Sequence, residues 1–283
     1  DELFLGKFEN LKIKDIDEVR EWIVDDLVIM YPHSKSEQGF IFFIGLLQEL
    51  AVLTNGKITD KLTTFTNELL ASFDTGVKKL GINTSDFNEF FAQKDSKIKE
   101  KVQKDLENSF ITYFLIKGDF FLALKNDDAI SIIKVVAIHK DENDEDIGFE
   151  LSEESDGTRR LLDFIPVFYA VLESGKTVII DEIDQSLHPS LLQTLVKKIM
   201  NDETTKGQLI FTTHDANLLD LNTFRQDEVW FAEKNKKGET KLYSLSDFKQ
   251  RSDLDIRKGY LKGRFGAIPF TANLKKLNWH KDA

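Results

Sequence analysis

The sequence predicts an α/β fold: a parallel-sheet core with crossover helices, a β-rich arm and a helical insertion. Three observations predict it. Residues 177–180 (Thr-Val-Ile-Ile) and 208–212 (Gln-Leu-Ile-Phe-Thr) are apolar runs without alternation, as strands buried on both faces are. Strand-like and helix-like segments alternate from 160 to 220, which indicates parallel strands joined by helices. Residues 109–151 instead hold closely spaced strand-like runs, and 59–107 read as helical and polar.

In chain order, residues 1–58 are assigned to the α/β head. Trp22 to Val24 and Leu27 to Met30 are apolar, and Tyr31-Pro32 breaks the pattern. In 36–53, Phe40, Phe43, Leu46, Leu47, Leu50 and Leu53 fall close to helical spacing. Within 59–107, Leu62, Phe65, Leu69, Leu70 and Phe73 form one stripe, and 94–106 reads as a charged helix. This span is expected to be a helical insertion; the alternative is that it belongs to the body. Residues 108–283 form the C-terminal lobe. Strands are expected at 111–116, 120–124 and 129–138, with an acidic turn at 141–146. A helix follows at 160–173, then strand 177–181. The next helix starts at Pro189, where a missing N–H costs nothing, and ends at Met200. Strand 208–212 and a hairpin of 229–232 with 241–244 around Lys237-Gly238 complete the pattern.

Composition narrows the function. The 283 residues are 41% hydrophobic and 31% charged, as in ordinary globular proteins, and 23 phenylalanines predict an aromatic core. The absence of cysteine excludes disulfides, cysteine–zinc sites and thiol catalysis, and fits a reducing cytoplasm. No apolar run approaches a membrane span, and the N-terminus lacks signal-peptide character. A formal charge of −11 disfavours non-specific nucleic-acid binding, though a local basic patch is compatible with it. The chain opens on Asp1 in sequence that reads as mid-protein, so a piece of a longer chain is expected.

The chemistry is expected at strand ends. Strand 177–180 runs directly into Asp181 and Glu182. Ligands of parallel sheets sit beyond the carboxyl ends of the strands. Two adjacent acids there are poor candidates for stabilisation, because unpaired buried charge is costly. A Mg²⁺ ion with nucleotide phosphates accounts for them: Asp181 holds the metal and Glu182 polarises the attacking water. The plain alternative is a strand ending in solvated acids. His214, just past the second apolar strand, is placed to hydrogen-bond a γ-phosphate. Ser155-Asp156-Gly157-Thr158 precedes a helix, where exposed N–H groups and the helix dipole favour an anion; an ordinary N-cap uses the same residues. Asp253 and Asp255 suggest a two-metal nuclease pair of the OLD type, but such a site needs further acids on strand ends.

Together these segments resemble the head of an ABC-type ATPase, most closely over 150–220. Residues 177–182 resemble the Walker B strand, 155–158 stand where the signature loop lies, 184–188 resemble the D-loop, and Phe211-Thr212-Thr213-His214-Asp215 resembles the switch-histidine segment. More narrowly, Ser155-Asp156-Gly157-Thr158-Arg159-Arg160, the run from Asp181 to Pro189 and Thr212-Thr213-His214-Asp215 are similar to the AbiL-like and RloA-like ATPases of bacterial anti-phage loci. So are Asp74-Thr75-Gly76-Val77 and the tail from Gly259 to Pro269. The resemblance implies an ABC-type P-loop NTPase head that hydrolyses ATP with Mg²⁺ and acts in antiviral defence as a conformational sensor. It implies a homodimer sandwiching two nucleotides, with Ser155, Gly157, Thr158, Asp184 and Ser186 at the nucleotide, Glu182 and His214 catalytic, and Asp181 on the metal. An effector protein is the implied partner, nucleic acid is an open one, and a membrane is not implied.

One departure is large. No Walker A loop is present. Ser174-Gly175-Lys176-Thr177 lacks the first glycine, with Ala170 in its place, and it precedes a strand instead of following one. In the family this loop lies near the N-terminus, so the chain alone is expected to bind ATP weakly or not at all. A degenerate head serving as a scaffold for a nuclease or nucleic acid is the main alternative. An SMC-like head would need a long heptad coiled coil, and 59–107 is too short and irregular for one.

Overall fold

The computed structural model describes residues 14–31, 57–94, 96–117, 119–126, 129–235, 237–248 and 255–268. The expected helix at 36–53 lies outside these residues. The chain divides into two compact units, Asp1–Leu191 with Thr204–Thr212, and Leu192–Glu203 with Thr213–Ala283.

Among the described residues, the first unit holds a three-stranded parallel sheet, β1 (Leu27–Met30), β7 (Thr177–Ile180) and β8 (Gln208–Phe211), with β7 between the other two. Register runs Leu27 to Thr177 to Gln208 and Met30 to Ile180 to Phe211. Val178 and Ile180, on one face of β7, are fully buried, but Thr177 and Ile179 on the other face are only half-buried and Ile210 of β8 is 44% exposed, so among the described residues the unalternating runs expected to be buried on both faces are fully buried on one at most. Helix α1 (Lys14–Asp25) leads into β1. The turn at Gly175 joins the preceding helix to β7, and Lys176 Nζ donates to Asp25 O at 2.6 Å. Lys176 therefore stands at a helix-to-strand turn, the wrong order for a phosphate loop.

The arm is a five-stranded antiparallel sheet. β2 (Lys79–Asp86), β5 (Ala129–Lys140), β4 (Asp119–Asn126) and β3 (Ile111–Ile116) are neighbours in that order, and β6 (Asp146–Glu150) also pairs with β5. α2 (Lys57–Ser72), α3 (Phe87–Phe91) and α4 (Ser96–Asp105) accompany it. Phe87 and Phe91 of α3 and Val102 of α4 pack with Phe114, Phe121 and Ile132 of the sheet. Phe114 and Phe121 stack at 5.4 Å in one of several aromatic clusters.

The span 59–107 is not helical throughout. Lys79–Asp86 is a strand, although Lys, Gly, Asn and Asp are poor strand formers. As an edge strand it exposes much of its length, and the full eight-residue ladder to β5 overrides its local preference. The acidic segment between β5 and β6 is the expected turn. Asp141 Oδ1 accepts from the N–H groups of Asn143 and Glu145, and these bonds hold its pKa below the usual carboxylate range.

Helix α5 (Asp156–Glu173) begins four residues before the expected start at 160, because Ser155 caps it. Phe164, Ile165, Val167, Phe168, Ala170 and Val171 are essentially inaccessible. Phe65 of α2 meets Tyr169 of α5 edge to face at 5.6 Å. Two charges lie among these apolar residues. Arg160 and Asp163 are 6% and 7% exposed, and Arg160 lies 4.4 Å from the Phe164 ring with Nε and Nη2 lacking hydrogen-bond partners.

Desolvation pushes Asp163 up to about 7 against the opposing pull of Arg160 and Arg159. An acid whose folded-state pKa is raised binds more protons folded than unfolded, so stability falls as pH rises from about 4 to about 7. Asp163→Asn is expected to remove that slope and to raise the urea midpoint at pH 8, by at most about 4 kcal/mol of stability. An unchanged midpoint difference between pH 5 and pH 8 in the variant would show that another group sets the slope.

In the second unit, β9 (Trp230–Lys234) and β10 (Thr240–Ser244) form the expected hairpin. Phe231, Leu245, Ile256 and Phe265 make its core, with α7 (Ile256–Leu261) and the tail packed in. α6 (Pro189–Met200) spans the division between the units.

Candidate nucleotide site

The ladder of the parallel sheet continues past its strands. Asp181 N–H donates to Met30 O, Thr212 N–H to Ile180 O, and Ile183 N–H to Thr212 O, at 2.9, 2.9 and 3.0 Å. These bonds fix the backbone where β7 and β8 end. Thr212 then joins the two acids. Its hydroxyl donates to Asp181 Oδ1 at 2.5 Å and accepts from Glu182 N–H at 2.8 Å. One side chain of the neighbouring strand end thereby sets both the carboxylate at 181 and the peptide at 182. Thr212 was legible only as part of a run ending in small hydroxyl residues; its bridging contact depends on the register of two strands.

Glu182 has φ +51° and Ser186 φ +64°, a left-handed conformation that costs a non-glycine residue roughly 1–3 kcal/mol. Such strain persists only where surroundings impose it. Here Ile183 and Leu187 supply the anchor, at 0% and 7% exposure. Gln185 N–H donates to Glu182 O and Leu187 N–H to Asp184 O, which closes the turn. Asp181, Glu182 and Asp184 are left half-buried and Ser186 exposed. His188 Nδ1 accepts from Ser190 N–H at 3.3 Å, at the start of α6.

Ser155 and its neighbours approach the same turn. Ser155 Oγ accepts from Thr158 N–H at 3.1 Å, an N-cap bond, and lies 2.9 Å from Thr158 Oγ1. The N-cap expected as the alternative is thus present. Thr158 is buried and its hydroxyl faces Ser155. Gly157 lets the two loops touch: a Cβ there would stand 3.1 Å from Ser186 O. Within the first unit the structure thus brings together Asp181, Glu182, Thr212 and Asp184, with Ser186 against Gly157. His214 belongs to the second unit, two residues along the chain from Thr212. Asp215 Oδ1 accepts from Asn217 N–H at 2.9 Å and so shapes the turn after it. Of the suggested nuclease pair, Asp253 lies outside the described residues, and Asp255 accepts from Lys258 N–H as the cap of α7.

The donor set suits magnesium. Carboxylate oxygens are its preferred ligands, and it retains waters and substrate phosphates instead of taking an all-protein cage. No group of three or more His, Asp or Glu able to hold a metal occurs among the described residues.

Parallel strands that deliver adjacent acids and a hydroxyl to one sheet edge define a P-loop NTPase-like α/β fold. A family model described as "AAA domain, putative AbiEii toxin, Type IV TA system" matches residues 53–220, well over half of the chain, and the chain belongs to that family. The match takes in every candidate site residue from Ser155 to His214. The family links an ATPase domain to abortive infection. No curated protein matches the chain. No helix among the described residues is long and apolar enough to cross a membrane.

Proposed function

We propose that this chain is part of an ABC-type ATPase head of the AbiL-like and RloA-like group, acting as a conformational regulator in anti-phage defence. The observation that carries the reading is the Thr212 hydroxyl tying Asp181 to the peptide of Glu182 at the edge of a parallel sheet. Phosphoryl transfer asks little covalent chemistry of a protein; positioning and charge stabilisation dominate. Glu182 is the group that orients and deprotonates the attacking water. Asp181 is the residue that would hold Mg²⁺, which when bound neutralises charge on the phosphates. His214 hydrogen-bonds the γ-phosphate. Asp184 and Ser186, held on the strained turn, face the nucleotide, and Ser155, with the N–H groups around Gly157 and Thr158, caps the nucleotide bound to a second copy. Thr158 contributes through its backbone and through holding Ser155. The dimer closes on ATP and opens on hydrolysis, and that motion is the output passed to an effector protein.

The test is ATP-dependent phosphate release by the protein of the full reading frame. The wild type is expected to turn over. Thr212→Val keeps the shape but removes the bridge, and is expected to lower kcat about tenfold, as lost outer-shell partners do. A wild-type protein with no ATP turnover would overturn the ATPase reading in favour of a scaffold. Equal kcat in the variant would remove Thr212 from the site.

A further inference from the structure

The segment leading into the 155–158 loop is gripped at both ends by one strand of the arm. β6 ends at Glu150, a single 3₁₀ turn occupies Leu151–Glu153, and Glu154 precedes Ser155. Glu150 N–H donates to Glu153 Oε2 at 2.8 Å, which stiffens the turn. At its first end, Lys134 of β5 pairs with Glu150, and also with Asp119 at 3.1 Å. At its last end, His139 of β5 donates from Nε2 to Glu154 Oε1 at 2.6 Å. Side chains five residues apart on a strand stand on opposite faces, so the connector is fastened from both sides of the sheet. The two fastenings differ in kind. The Glu150 side chain is 41% exposed, whereas Glu154 is 8% exposed with an ionisable ring as its partner.

The His139 ring is itself held. Phe149 meets it edge to face at 4.9 Å. On its other nitrogen lies the turn Asp74-Thr75-Gly76-Val77, singled out in the sequence without a role. Gly76 has φ +80°, and a Cβ there would stand 3.2 Å from His139 Nδ1. Val77 is buried, and Lys78 N–H donates to Ile138 O at 2.8 Å, which locks the turn to β5. A side chain at 76 would thus be strained twice, by conformation and by contact with the ring.

We propose that His139 is a positioning residue for ATP hydrolysis: through Glu154 it sets the 155–158 loop for its contact with nucleotide and couples that loop to the arm sheet. The proposal rests on the ATPase reading above. A loop displaced by an ångström loses orientation that the reaction needs, while binding of nucleotide to the other parts of the site is spared. Loss of the ring therefore acts on kcat more than on KM.

The experiment uses the full-length protein with His139→Ala, His139→Gln and Gly76→Ala. Gln replaces the Nε2 donor without the ring. His139→Ala is expected to lower kcat per folded molecule roughly tenfold with KM for ATP within about twofold, and Gln to restore more than half of the loss. Gly76→Ala is expected to act in the same direction. Amide hydrogen exchange over residues 150–160 is expected to speed up in the Ala variant, with or without ATP. Unchanged exchange there overturns the proposal, because the loop is then not held through His139. Faster exchange with wild-type kcat overturns it too, leaving His139 a purely structural residue, and so does failure of Gln to restore kcat. Faster exchange in a protein whose wild type has no ATP turnover overturns the ATPase reading and the catalytic part of the proposal with it, while the mechanical link from arm to loop survives.

Discussion

Glu182→Gln is expected to lower phosphate release by about a hundredfold or more, the usual contribution of a positioned base, while prolonging the ATP-bound dimer. The substitution keeps the volume and one oxygen but removes the charge that takes the proton from water. The backbone at 182 is set by the Thr212 hydroxyl and by the turn over Ile183 and Leu187, none of which Gln disturbs. Binding and closure should therefore survive when hydrolysis does not. Size-exclusion or light scattering with ATP should show a stable dimer in the variant and a transient one in the wild type. The comparison separates two roles for the acid. A structural acid would cost folding stability, read by melting, and leave turnover per folded molecule intact. Wild-type phosphate release by Glu182→Gln would remove it as the base.

How much of this was legible in sequence follows from the range of the interactions. β7 and its two acids were legible because the run is unbroken and apolar and charge at its end is unusual, although only Val178 and Ile180, on one face, are fully buried. Helix α5 was legible from its apolar residues, but it starts four residues earlier than expected, the N-cap role of Ser155 being only the alternative reading. β2 was not legible. Its residues disfavour strands, and what makes it one is pairing with β5 some fifty residues later. Thr212 and His139 were missed for the same reason. Each works through a partner far along the chain, Asp181 for one and Glu154 for the other. The left-handed conformations at Glu182 and Ser186 had no signal either, since neither residue is the glycine that such backbone favours. Strain of that kind, found also at Lys117, Asp144 and Ala267, appears only in coordinates.

Ser155→Arg tests the remaining part of the proposal, that the 155–158 loop acts on a second copy. Ser155 is small and exposed, and caps α5 through a single 3.1 Å bond to Thr158 N–H. Arginine does two things there. It removes the cap, worth about 1 kcal/mol, and it puts a long cation where, in the proposed dimer, the loop of one head meets the nucleotide on the other. The first effect alone is given by Ser155→Ala, and Ser155→Asn restores a capping oxygen with little added bulk. The expected order of ATP-dependent dimerisation is wild type, then Asn and Ala, with Arg at background. Phosphate release in Arg should fall at least about a hundredfold, since an isolated head lacks the donors that stabilise charge in the transition state. ATP binding to the Arg variant should persist, because Asp181, Glu182 and Thr212 lie on other elements. If Arg dimerises and hydrolyses as the wild type does, the loop is only a helix cap and the two-head sandwich is wrong. If Ala fails as completely as Arg, the helix start itself is what closure needs, and the trans contact has no separate support.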